Sequence, residues 1–258
     1  TGVLVIGVGR ATRLLTYITG ADKEYLATIR LGASTTTDDA QGEPLVTSGA
    51  TGLDSGLVRT AMARLTGDQL QVPSSVSAIK VDGRRAYARV RAGEDVHLEA
   101  RPVHVAAFDL LDIREVGTWT DLDVRVVCSS GTYVRALARD LGEALGTGGH
   151  LTALRRTRVA GFTLEGARTL DELGAAADAA PDARLPVQTP AEAASAVMPV
   201  RRLTEDEARE LSFGRGVAAG SQPPAGPVAG VGPDGTLVAV LTVRGDLVRP
   251  VLVLAPAS

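Results

Sequence analysis

The sequence predicts an α+β protein, a mixed and mainly antiparallel sheet with flanking helices, followed by a small β-rich terminal unit. Three observations carry that expectation. Residues Glu24 to Leu31 alternate by side, and runs rich in Val, Leu and Ile recur at Val103 to Ile113 and Leu122 to Cys128, as half-buried strands do. Apolar residues at helical spacing fill Leu53 to Leu65 and Tyr133 to Leu145. Between Gly174 and Ala196 the composition shifts to Ala, Pro and Asp with little periodicity, and short strand-like runs resume beyond it. The expected domains are therefore 1–173 and 197–258, joined by a linker over 174–196.

Taken in order, Val3 to Val8 is a short β-branched run that reads as a buried strand, leading into a helical turn at Ala11 to Leu15. Strand Glu24 to Leu31 ends at Gly32. In the helix Leu53 to Leu65, the residues Leu53, Leu57, Val58, Ala61, Met62 and Leu65 form one face, and Gly67 stops it. Pro73 to Lys80 reads as an extended loop, Asp82-Gly83 as a turn, and Ala86 to Arg91 as an arginine-rich helix. Ser129 to Thr132 is a plausible helix start, with Val134, Leu137, Leu141 and Leu145 on the buried face that follows. Leu151 to Phe162 reads as extended. Thr204-Glu205-Asp206-Glu207 opens a short helix as a capping box, and the chain closes with strands at Val228 to Val231, Leu237 to Val243 and Leu247 to Leu254.

The chain has 258 residues, 45% apolar and 22% charged, with a net charge of −3, a globular composition of one large or two ordinary domains. No apolar run approaches the roughly 18 to 20 residues of a membrane-spanning helix. One cysteine, Cys128, cannot form an internal disulfide, and no secretory leader opens the chain, so a cytoplasmic location is expected. The 27 basic residues are 25 arginines and two lysines, Lys23 and Lys80, a bias that fits a GC-rich coding sequence. The start, Thr1-Gly2-Val3, has no methionine and runs directly into an apolar segment, so the chain is expected to lack its beginning.

Gly7-Val8-Gly9-Arg10-Ala11-Thr12 follows an apolar run, but Thr12 stands where a dinucleotide fingerprint wants Gly or Ala, and Asp22 and Glu24 begin a strand rather than end one. The turn is read as structural. His97, His104 and His150 have no ligand spacing with one another or with Cys128, so no metal is expected; Cys128 reads as a buried small residue. The basic groups are more informative. Arg84, Arg85, Arg89 and Arg91 form one cluster and Arg155, Arg156 and Arg158 another, each alone readable as a solvated face. Together with Lys23 and Lys80 in an otherwise acidic chain, they suggest a surface that tracks phosphates. Tyr25, Tyr87 and Tyr133 lie beside these bases, the combination that stacks an unpaired base while holding its backbone.

At these residues the sequence resembles the TruB-type tRNA pseudouridine synthases. The resemblance lies in Lys23-Glu24-Tyr25 with Ile29-Arg30-Leu31-Gly32, in Val72 to Lys80 with Gly83 and Tyr87, in Ser129 to Arg135 through Asp140-Leu141-Gly142, and in Gly149-His150-Leu151 with Leu154-Arg155-Arg156. Four motifs in order cover Thr1 to about Phe162. The resemblance implies a pseudouridine synthase catalytic fold, a PUA-like RNA-binding C-terminal domain, and isomerisation of uridine 55 in the T loop of tRNA without cofactor or metal. The partner is then the tRNA T arm, with no membrane, and the protein a monomer. A flipped-out uracil needs a pocket. Tyr25 matches the tyrosine that stacks on it, Tyr133 a second pocket tyrosine, and Leu154 the apolar residue that closes the pocket. Arg135 matches the arginine that pairs with the catalytic aspartate, which the family places four residues before the position of Thr1. Lys80 is assigned to substrate, and Lys23, Arg84, Arg85, Arg155 and Arg156 to the RNA backbone. A different class, a non-catalytic tRNA-binding or tRNA-folding protein using the same pocket, remains as the alternative.

Overall fold

A computed structural model describes residues 1–74, 80–81, 84–85, 98–179, 185–220 and 225–255. Contacts divide the chain into two compact units, Thr1–Val3 with Asp22–Val159, and Leu4–Ala21 with Ala160–Ser258.

Near the start of the chain lie a 3-10 turn (Gly9–Leu14) and a short helix, α1 (Leu15–Thr19), both in the second unit. The first unit is built on strands β1 (Lys23–Leu31), β2 (Ala33–Thr35), β3 (Pro44–Thr47), β4 (Gly67–Gln71), β5 (Lys80–Val81), β6 (Arg84–Arg85), β7 (Arg101–Val116), β8 (Trp119–Cys128) and β9 (Gly149–Val159). Its main sheet runs β9-β1-β8-β7-β4, every neighbouring pair antiparallel. Two helices, α2 (Ser55–Arg64) and α3 (Val134–Ala144), contribute Val58, Met62, Val134, Leu137 and Leu141 to a core with Ile29, Leu31, Leu122, Val124 and Val126. One face of the sheet is thus apolar. The other carries Glu24, Thr28, Arg30, Asp109, Asp121, Asp123 and Arg125, joined in pairs across the strands.

Local chemistry explains the ends of these elements. Asp54 caps α2, its carboxylate accepting from the backbone N–H of Leu57 at 3.0 Å. At the start of α3 the N-cap is Tyr133, and no side chain of Ser129 to Thr132 caps it. The α3–β9 connection depends on close approach: a Cβ on Gly142 would run into the backbone of Gly148 and Gly149, and one on Gly149 into the carbonyl of Ala138. Only glycine lets helix and strand come so near.

The second unit holds β10 (Phe162–Thr163), β11 (Val200–Arg202), β12 (Val217–Ala218), β13 (Val228–Val231), β14 (Leu237–Arg244) and β15 (Leu247–Val253), with α4 (Leu170–Ala179), α5 (Pro190–Ser195) and α6 (Glu205–Ser212). Five strands form a sheet in the order β11-β13-β14-β15-β12. Capping boxes at Thr189–Glu192 and Thr204–Glu207 start α5 and α6. Leu14, from the chain start, is buried with Ala194, Met198, Val231, Val240, Leu252 and Leu254, and Arg13 donates to the carbonyl of Val253 at 2.9 Å.

Several expectations need correction. Val3 to Val8 forms no strand. Gly2 makes one isolated parallel bridge to Arg156, Val3 is buried, and Leu4, Ile6 and Val8 are exposed. Apolar residues occupy both sides of this segment's alternation, so its composition says nothing about which side is covered. Leu57 is 64% exposed and lies off the buried face of α2, while Val58, Ala61 and Met62 carry it. Strands β2, β3 and β4 go beyond the sequence expectations: β3 is four residues long and exposed throughout despite Leu45 and Val46, and β4 sits at the sheet edge with mostly polar residues, so neither shows the alternation of a half-buried strand. The expected loop and helix over 73–91 fall largely outside the described residues, as do Tyr87, Arg89, Arg91 and His97. Within that stretch, β5 and β6 pair antiparallel, Lys80 opposite Arg85. No helix among the described residues is long and apolar enough to cross a membrane.

Candidate active site

Strand β9 is the rail on which the candidate residues assemble. Its antiparallel register with β1 sets Arg156 opposite Tyr25, Arg155 opposite Leu26 and Leu154 opposite Ala27. Tyr25 is half-buried against the core, and Arg156 hydrogen-bonds its phenol oxygen. Burial raises the Tyr25 hydroxyl above its ordinary range, with the hydrogen bond and charge of Arg156 acting in the opposite sense. The phenol therefore stays protonated at neutral pH, a flat amphipathic surface rather than a base. Lys23, two residues before it, is lowered by burial and then by the neighbouring Arg156. Cys128, opposite Lys23 on β8, is buried, and its thiol is pushed up to about 11 chiefly by burial. A thiol of that kind is inert as a nucleophile at neutral pH.

Arg156 differs from its assignment to the RNA backbone in one respect: its Nε donates to the carbonyl of Val3 at 2.7 Å. Its backbone N–H donates to the carbonyl of Thr1 at 3.1 Å, and its own carbonyl accepts from Val3 at 2.8 Å. This arginine ties the segment Thr1–Val3 to the strand that faces Tyr25. Gly2 has φ of 104° and passes so close that a Cβ there would meet the Arg156 backbone. Arg155 is exposed, and Leu154, 37% exposed, presents an apolar surface one residue earlier.

A second cluster gathers around the start of α3. The buried amide of Gln71, at the end of β4, accepts from the Tyr133 backbone N–H at 2.8 Å and donates to the Tyr133 carbonyl at 3.3 Å. A side chain here does the work of a neighbouring strand. It fixes the helix start, and with it Tyr133 and Arg135. Arg135 Nη1 donates to Asp39 Oδ2 at 3.0 Å and to the Thr37 carbonyl at 3.4 Å. Asp39 also accepts from the Thr37 hydroxyl at 2.6 Å and the Gln41 backbone N–H at 3.0 Å. Burial pushes this carboxyl upward, but the hydrogen bonds from Thr37, Gln41 and Arg135 prevail and hold it below the ordinary carboxylate range. The result is an ionised carboxylate locked to a guanidinium.

One helical turn on, Arg139 donates to Asp38 Oδ2 at 3.4 Å, to Asp140 Oδ1 at 2.8 and 2.9 Å, and to the Val72 carbonyl at 2.8 Å. The loop between β2 and β3 is thereby pinned to α3, and the N–H of Leu151 on β9 donates to the Asp38 carbonyl at 3.0 Å. Leu151 and Arg156 stand five residues apart on one strand, about 16 Å at the ordinary rise. The two clusters share that rail.

Of the residues expected from sequence, Lys23, Tyr25, Leu154, Arg155 and Arg156 lie in the first cluster, and Tyr133 and Arg135 in the second. The side chains of Lys80, Arg84 and Arg85 lie outside the description. Sequence reasoning missed Gln71, Asp38, Asp39 and Arg139. The run Thr36-Thr37-Asp38-Asp39 offered a signal, since consecutive carboxylates among threonines are ready hydrogen-bond acceptors, but only tertiary placement supplies the two arginines. His104 accepted no chemistry in the sequence; in the structure its Nδ1 lies 2.7 Å from Asp68 Oδ1, and His150 is buried with Nδ1 2.9 Å from the Ala33 carbonyl.

A model described as the TruB family pseudouridylate synthase N-terminal domain matches residues 1–134. Models for a tRNA pseudouridylate synthase B C-terminal domain and for the C terminus of tRNA pseudouridine synthase II match 135–202 and 198–255. The chain is 57% identical over 267 residues to tRNA pseudouridine synthase B of Arthrobacter sp. (strain FB24), covering 100% of this chain and 85% of the relative. It is 54% identical to the protein of that name from Nocardia farcinica, covering 99% and 81%. Among solved structures it is similar to a chain of a Cbf5-Nop10-Gar1 complex, with a TM-score of 0.72 at 22% identity over 99% of this chain and 73% of that one. A chain of an H/ACA RNP bound to a substrate RNA containing 2'-deoxyuridine gives 0.68 at 20% identity, covering 96% and 71%. These two likenesses establish a shared fold.

Proposed function

The chain belongs to the TruB family of pseudouridylate synthases, and from that membership we propose that its target is uridine 55 in the T loop of tRNA. It is a tRNA pseudouridine synthase, an isomerase. In that reaction the N1–C1′ bond of uridine breaks and a C5–C1′ bond forms; the proton lost from C5 is balanced by one gained at N1.

The observation that carries the site assignment is Tyr25, held beside Arg156 on a strand that also anchors the Asp39–Arg135 pair. Tyr25 offers a neutral phenol ring on which a uracil detached from its sugar can stack, and Leu154 supplies apolar surface beside it. Stacking tolerates rotation of the base about its own normal, which the isomerisation requires. Tyr133 lines the same pocket. Arg135 holds the ionised nucleophilic aspartate expected of the family, one guanidinium shared between that carboxylate and Asp39. Arg155 and Lys23 meet phosphates of the T arm, Arg84, Arg85 and Lys80 extend that track, and Arg156 both lies on it and orders Thr1–Val3. The protein acts in the cytoplasm as a monomer, where its tRNA substrate resides. The 1–173 and 197–258 divisions serve catalysis and RNA binding respectively.

The experiment is an assay of pseudouridine formation in a T-loop transcript, with the chain as it stands and with the chain extended upstream of Thr1 by the family's catalytic loop. Turnover by the extended form, confined to position 55, is expected. Salt-dependent tRNA binding without turnover by either form would overturn the reading and favour a tRNA-binding or tRNA-folding role.

A further inference from the structure

We propose that Arg139 and Asp38 form a positioning clamp, which fixes the loop between β2 and β3 so that Asp39 meets Arg135 in one geometry. The inference deepens the functional reading above and rests on it.

Arg135 and Arg139 are four residues apart on α3, neighbours on one helix face, and Asp38 and Asp39 are consecutive on the loop. Two adjacent carboxylates therefore meet two guanidiniums one helical turn apart. A single ion pair would let the loop pivot about Asp39; the second pair removes that freedom. The loop shows the constraint in its backbone, for Asp38 has φ of 57°, in the left-handed region that non-glycine residues avoid. Three further bonds hold it: Ser74 Oγ donates to the Thr37 carbonyl at 3.1 Å, Leu151 N–H to the Asp38 carbonyl, and Thr35 Oγ1 to the Asp39 carbonyl at 2.8 Å. Arg139 also reaches the Val72 carbonyl, next to Gln71, which sets the start of α3. One side chain thus links the loop, the helix and the segment after β4.

Stability alone does not account for this pairing. Burial raises the carboxyls of both Asp38 and Asp140, outweighing the attraction of Arg139. Ionising them in the folded protein is a cost, the pair is only partly shielded from water, and without Asp38 the guanidinium keeps Asp140 and the Val72 carbonyl as partners, so the pair adds little stability. What the pair supplies is geometry.

Asp38→Asn separates the two roles. Asparagine adopts the left-handed region readily and keeps the size of aspartate, but it lacks the charge. The melting temperature is expected to hold, while amide exchange at Gln41 and Leu151, the N–H groups bonded to Asp39 and Asp38, rises about tenfold or more. In the form that turns over, kcat falls at least about tenfold with KM for tRNA unchanged. Arg139→Gln repeats the loss, Arg139→Lys recovers part of it, and the Asp38→Asn/Arg139→Gln double variant is no worse than either single variant, as one coupled unit requires. Unchanged exchange at Gln41 and Leu151, a KM that rises in step with the fall in kcat, or additive losses in the double variant would overturn the clamp. Should the unsubstituted protein fail to turn over in either form, the functional reading falls, and the exchange measurement still decides the clamp.

Discussion

On the polar face of the sheet Arg125 reaches Glu24 at 2.9 Å and Asp109 at 2.8 Å, whereas on α3 Arg135 and Arg139 reach a loop. Both regions pair arginine with carboxylate at similar distances. On the sheet, register does the placing: Asp109 lies directly opposite Arg125, Asp121 opposite Arg30, and Asp123 opposite Thr28. Once the strands are aligned the pairs follow, and the exposed ones, such as Arg125 with Asp109, gain little from them. At α3 the partners belong to a helix and a loop, and their meeting depends on the whole tertiary arrangement. The same chemistry decorates in one place and positions in the other.

The sharpest break in this comparison comes from Tyr25, on the apolar side of the same strand that carries Glu24. Tyr25→Ala is expected to lower turnover about 100-fold or more, the scale of a misplaced substrate, while tRNA affinity falls less than about tenfold, the loss of one stacking contact. Single-turnover kinetics with a separate filter-binding titration would measure both, and equal losses would remove Tyr25 from the uracil pocket. Next in size is Leu137→Ala. Leu137 is fully buried beneath the arginine-bearing face of α3, and truncation is expected to cost about 2 to 5 kcal/mol in urea unfolding. A smaller figure would mean that α3 is anchored by its arginines rather than by its core.

The smallest effect belongs to the polar face. Arg125→Ala is expected to change stability by less than about 1 kcal/mol and to leave tRNA affinity and its salt dependence unaltered. A changed salt slope would bring that face into the RNA interface. The pH dependence gives a second reading. Burial acts to raise the Glu24 carboxyl, but hydrogen bonds from Thr157 and Arg125 bring it below its ordinary range. A depressed folded-state pKa contributes stability above the unfolded carboxylate range and loses it as pH falls through the folded value. Glu24→Gln should therefore narrow the gap between neutral and acid melting temperatures, and an unchanged gap would leave Glu24 without a role in it.

These two regions also divide what the sequence could disclose. Strands β1, β7 and β8 were legible because their period of two shows which residues face the core, and α3 because Val134, Leu137 and Leu141 keep to one face. The roles proposed for Tyr25, Tyr133 and Arg135 come only from their motif neighbours, since nothing in their spacing separates a site tyrosine from a half-buried core one. The partners of the loop carboxylates and of Gln71 were not legible. The roles of these residues rest on partners 62 to 101 residues away, and a glutamine that replaces a strand leaves no period behind. Residues Val3 to Val8 misled for the opposite reason, being apolar enough for a strand although the one bridge here is made by Gly2, just before them.

The placement of Leu14 in the core of the second unit bears on how the molecule comes into being. Its partners include Leu252 and Leu254, and Arg13 bonds a carbonyl 240 residues further on. A ribosome adding about 5 to 20 residues per second leaves Leu14 waiting for about 10 to 50 seconds before that core can close. The sheet of the first unit is complete in sequence by Val159 and can form well before then. The core of the second unit in this sense closes after the first sheet, and loss of either Leu14 or Leu252 opens the same apolar cluster.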